Sequence, residues 1–96
     1  MCNFLALYLL LILSKIKLVF VDQRDCFGKD HPTCARTLNE MGNIHLQLGN
    51  IDDVMKCYSE ALRIYKKAEL NDDQLVIYGQ SLWRFDVVQP KAAAMA

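Results

Sequence analysis

The 96-residue chain carries no net charge, because eleven basic residues balance eleven acidic ones. Nothing in that balance points to nucleic acid or to an anionic surface as a partner. It also lacks a CxxC pair among its four cysteines, Cys2, Cys26, Cys34 and Cys57. Cys26, His31 and Cys34 lie close in sequence and are residue types that zinc takes, but no fourth ligand stands at a fitting spacing. No metal is therefore expected. A nucleophile–base–carboxylate triad, carboxylates paired at an apolar pocket and a glycine-rich phosphate loop are all missing, so neither an enzyme nor a bound cofactor is expected. Nor is there a heptad run long enough for a coiled coil.

What the chain does have is apolar residues, 53% of the total. The excess over an ordinary globular protein lies mostly in residues 1–21. Phe4 to Leu13 are consecutive apolar residues, followed by Ser14, Lys15 and Lys17 and a second apolar run. Three readings stand open for this stretch. A cleaved signal fits the length of the first run, yet no basic residue precedes it and no small-x-small site follows. A membrane span needs about twenty apolar residues, and central lysines cost roughly 2.5–3.5 kcal/mol each. Near the end of a tilted span they could snorkel instead. A helix packed on the rest of the chain is the third reading.

The chain is organised around residues 35–68. Leu38, Met41, His45 and Leu48 recur at spacings of three, four and three, one face of a helix. Val54, Tyr58, Ala61, Leu62 and Tyr65 repeat that pattern beyond Gly49-Asn50. Small residues, Gly42 and Ala61, stand where two antiparallel helices would cross closely. The spacing predicts one helix over Pro32–Leu48 and a second over Ile51–Glu69. His31 or Asp30 caps the first and Asn50 the second, with Gly28 and Gly49 suited to left-handed helix ends. His45, on the apolar face, reads as a core histidine, and the Arg63, Lys66 and Lys67 trio as a solvated basic end.

These positions, at their mutual spacings, resemble a tetratricopeptide repeat, a helix–turn–helix unit of about 34 residues. The wording GKDHPTCARTLNEMGN and SEALRIYKKA looks like the kinesin-light-chain type of that repeat. His45, Val54 and Lys66 depart from it, standing where an aromatic, an alanine and a proline are usual. The resemblance implies an all-α fold: one antiparallel hairpin flanked by an apolar N-terminal helix and a C-terminal capping helix. The chain then divides into an apolar segment (1–21) and a linker like the end of a preceding repeat (22–31). The hairpin (32–70), a capping helix with its exit (71–90) and a tail expected to fray (91–96) complete it. Leu75, Tyr78, Leu82 and Phe85 predict the face of the capping helix, which is expected to end near Arg84.

Repeats of this kind hold extended peptides on the groove face of their first helix. Arg36, Asn39, Asn43 and Gln47 share one face of that helix, so the resemblance makes them the candidate peptide-binding residues. The amides of Asn39 and Asn43 would match the exposed NH and CO of an extended ligand. A solvated polar face is the plainer reading of the same four. The expected function is a protein–protein interaction module, a scaffold or adaptor or a C-terminal fragment of a longer array, located in the cytoplasm. There disulfides are not expected. The alternative is a membrane-anchored protein displaying the hairpin, inserted through residues 4–21. Self-association stays open as well, because one hairpin buries too little to stand without flanking helices.

Overall fold

The computed structural model describes the backbone of residues 2–95 and the side chains of residues 4–88. The fold is all-α: α1 (Cys2–Phe27), α2 (Pro32–Leu48), α3 (Ile51–Lys67) and α4 (Asp72–Met95). Each helix packs on the next, and a narrower contact joins α2 to α4.

α1 runs through Val21 without a break and ends at Gly28, whose φ of 91° lies in the left-handed region. Its chain therefore joins the expected apolar segment and most of the expected linker into one element. Gln23 helps hold the C-terminal half in place, its side-chain carbonyl accepting from the Thr37 hydroxyl at 2.6 Å. His31 caps α2, its Nδ1 accepting from the Thr33 N–H at 3.1 Å, while its ring stacks on Phe27. Asp30 does not cap. Arg63 donates to it at 2.8 Å and Lys67 lies 3.9 Å away, which ties the α1–α2 connection to α3. The same guanidinium holds the Asp30 carboxyl below its ordinary range.

Gly49, with φ of 81°, ends α2, and the Asn50 N–H reaches back to the His45 carbonyl at 2.9 Å. Asn50 occupies the N-cap of α3 as expected, its carbonyl accepting from the Val54 N–H at 3.0 Å, but its side chain makes no capping bond. Its amide lies instead 3.4 Å from His45 Nδ1. The positive end of α3 is met by Asp52 and Asp53 in the first turn. α3 stops at Lys67, two residues before the expected end.

The α2–α3 crossing is as close as the small residues imply. A Cβ added at Gly42 would fall 2.5 Å from Tyr58 Cε1 and 2.8 Å from Cδ1. Around this crossing the core gathers Cys34, Ala35, Leu38 and Met41 of α2 with Cys57, Ala61, Ile64 and Tyr65 of α3. Leu13 of α1 enters the same cluster, with Ile16 and Phe20 packed against it. The hairpin thus draws burial from its neighbours.

α4 departs from expectation twice. It opens as foreseen, with Asn71 and Gln74 exchanging side-chain-to-backbone bonds at 2.9 and 3.1 Å in a reciprocal cap. It then continues through Pro90 to Met95, beyond the end expected near Arg84; Ala96 of the expected tail lies outside the described residues. Pro90 removes one N–H from the helical ladder, yet Ala92, Ala93 and Ala94 beyond it are the strongest helix formers. The packing face is also rotated from the one expected. Ile77, Tyr78, Ser81, Phe85 and Val88 face the core, while Leu75 and Leu82 are exposed. Ser81, fully buried, supplies a small side chain where α4 meets α2.

Candidate functional site

Of the four candidate residues on α2, two are exposed and two are engaged by other helices. Asn39 is only 6% exposed, and its side-chain oxygen accepts from the buried Ser81 hydroxyl at 2.7 Å. Asn43 is half-buried, and its oxygen accepts from both the Tyr58 hydroxyl and Arg84. α4 therefore covers the middle of the strip, and the four residues do not form one open face. Asn39 in particular lies in the α2–α4 junction, its oxygen already used by Ser81. Arg36 is exposed, 4.0 Å from Glu40, and lies on the far side of that junction. Gln47 is exposed at the other end.

Gln47 and Asn43 instead open onto a cleft between α2 and α4. It measures about 390 Å³ and is walled by Leu46, Trp83, Arg84, Val87 and Val88. Trp83 is 66% exposed, so a large aromatic surface stands uncovered beside it. The cleft has the makeup of a binding site: mostly apolar walls with a few polar groups that could fix orientation. Gln47 offers both a donor and an acceptor, and an aromatic platform gives a partner side chain broad contact.

The α4 wall of this cleft is not evident from the local sequence pattern. Trp83 was legible only as a neighbour of the expected apolar stripe. Its exposure follows from the rotation that puts Ser81 in the core. A tryptophan beside a helix's apolar stripe rather than within it was the one available signal.

Cys34, Cys57 and His45 are held within the fold. Cys34 is buried and its thiol donates to the Gly28 carbonyl at 3.4 Å. Burial raises its pKa, and burial with Asp53 nearby pushes the Cys57 thiol up to about 11. Cys26 is exposed, and no group of three metal-ligating residues exists among the described residues. His45 sits in the core with Asp53 3.9 Å from its Nδ1; burial lowers its pKa against the opposing pull of that carboxylate.

Residues 35–68 match the family model of the tetratricopeptide repeat. The matched stretch covers most of α2 and α3 and the turn between them. No curated protein and no solved structure matches the chain. Repeats of this family generally mediate protein–protein interactions, and in this chain the two helices of the matched stretch approach closely at Gly42. α4 sits where the repeat's edge would otherwise be bare.

Proposed function

We propose that the protein is a non-catalytic interaction module that receives an extended segment of a partner protein in the α2–α4 cleft. The observation that carries this reading is the uncovered Trp83 facing a cleft that Gln47 and Asn43 also line. Gln47 would pair with the segment's backbone while an apolar side chain covers Trp83. Arg36, on the other side of the junction, contributes little to this arrangement. The kinesin-light-chain character of the repeat belongs to the same proposal and is supported by the wording of residues 28–43 and 59–68 alone. A cytosolic setting is supported by the unpaired thiols of Cys26, Cys34 and Cys57.

The test is selection of extended peptides from a displayed library on the full chain, followed by titration calorimetry of the binders. Trp83→Ala and Gln47→Ala should each weaken binding about tenfold or more, in line with the loss of a central aromatic or polar contact. Arg36→Ala should leave it unchanged. Binders indifferent to Trp83 and Gln47 would place the site elsewhere.

A second reading has its own observation. Among the described residues one helix, α1 over Phe4–Phe27, is long and apolar enough to cross a membrane. The hairpin would then be displayed from a membrane through residues 4–21, with the cleft still turned to a protein partner.

A further inference from the structure

α1 has two faces of different use. Leu9 and Leu13 are buried and Ile16 and Phe20 pack on the core, at spacings of four, three and four. The opposite face carries Phe4, Leu7, Leu11 and Leu18 at spacings of three, four and seven. These are 84%, 63%, 57% and 69% exposed. Leu5, Tyr8 and Leu10 are also exposed on the flanks, so among the described side chains of the first three turns only Leu9 is buried, with Ile12 half-buried. A seam between two helices covers a narrower stripe than this. A fluid apolar medium covers all of it.

The polar residues of α1 are placed for such a medium. The Ser14 hydroxyl is satisfied inside the helix, donating to the Leu10 carbonyl at 3.1 Å. Lys15 and Lys17 are the only charged residues before Asp22, and they fall on opposite flanks of the outer stripe. Long basic side chains in that position reach the headgroups while their stems stay in apolar surroundings. The chain is neutral as a whole, but this end of it is locally basic. Asp22 and Asp25 are exposed past Leu18, where the helix would leave the surface.

We infer that α1 lies in the plane of an anionic lipid surface through its Phe4–Leu18 stripe and stays packed on α2. It does not leave the hairpin to span the bilayer. Spanning would expose Cys34, Ala35, Leu38 and Met41 and carry both lysines into hydrocarbon. In-plane seating keeps every buried contact and covers only what is now bare. This inference rests on the anchoring reading above and specifies how the anchor sits.

The experiment is flotation of the full chain with vesicles of phosphatidylcholine, alone or mixed with phosphatidylserine. Binding is expected to the mixed vesicles and to weaken with salt. The double variant Leu7→Glu/Leu11→Glu should lose on the order of a hundredfold or more in partitioning, with circular dichroism unchanged because both sites are exposed. Depth is then read by lipid-borne quenchers in a Trp83→Phe background carrying Phe4→Trp, Leu11→Trp or Leu18→Trp. The three should report one shallow depth. A progressive change approaching roughly 21 Å between positions 4 and 18, the rise of fourteen helical residues, would mean that α1 spans; the in-plane claim would fail and anchoring would survive. No vesicle binding, with a dimer in sedimentation that Leu7→Glu/Leu11→Glu abolishes, would overturn both and assign the stripe to a second copy.

Discussion

Gly42→Ala sets two effects of known size against each other. Alanine in place of a helical glycine is worth about 1 kcal/mol in propensity. Here the added Cβ would meet Tyr58 Cε1 at 2.5 Å, Cδ1 at 2.8 Å and Cζ at 3.2 Å. Tyr58 is fully buried and its hydroxyl is held by Asn43, so the ring has nowhere to swing. Overpacking of this kind costs about 1–3 kcal/mol, with the upper half of that range expected for a ring fixed at both ends. The net expectation is a loss of about 1–2 kcal/mol. For a domain of this size that lowers Tm by roughly 4–15 °C. Thermal and urea denaturation followed by circular dichroism would read it. In a Tyr58→Leu background the same substitution should turn stabilising, because the obstructing ring is gone and only propensity remains. A Gly42→Ala protein as stable as the parent, or more so, would refute the close crossing.

Gly79 provides the opposite case. A Cβ there meets nothing within 4 Å, so Gly79→Ala should stabilise the chain by about 1 kcal/mol in the same melts. Ser81→Ala should cost about 1–3 kcal/mol by leaving the buried Asn39 oxygen without its donor. The pH dependence follows from His45, whose folded pKa is depressed below the ordinary 6.5 mainly by burial. Its contribution is fully present above 6.5 and lost as pH falls through the lower folded value, so urea midpoints should drop across that window and His45→Gln should flatten the drop. In maleimide labelling of the native chain, exposed Cys26 should react well before Cys57, whose thiol is pushed up to about 11.

How much of this was legible in the sequence depends on whether one helix or two decide a residue's fate. The first helix of the hairpin was readable to its ends because Pro32 and Gly49 act locally, through a fixed φ and a left-handed one. The Gly42 crossing was readable because a glycine amid a helical pattern has few other uses. Asn39 was not readable. An asparagine one residue after Leu38 looks solvated until a third helix is laid over it with Ser81 against its oxygen. The same rotation put Leu75 and Leu82 outside and uncovered Trp83, so half of the cleft lay beyond local pattern. Asn50 shows the converse: its residue type suits a cap, but its amide lies beside His45 of the neighbouring helix instead. Substituting Asn39 and Asn43 together would now be expected to weaken the fold as well as any ligand capture, since both are used inside it.

The central claim, that the α2–α4 cleft receives a partner segment, is tested most directly by the emission of Trp83, the one tryptophan in the chain. Addition of a selected peptide should shift that emission to shorter wavelength and shield it from aqueous quencher, with a midpoint equal to the calorimetric Kd. A peptide that binds by calorimetry while leaving Trp83 emission and quenching unchanged would contradict it.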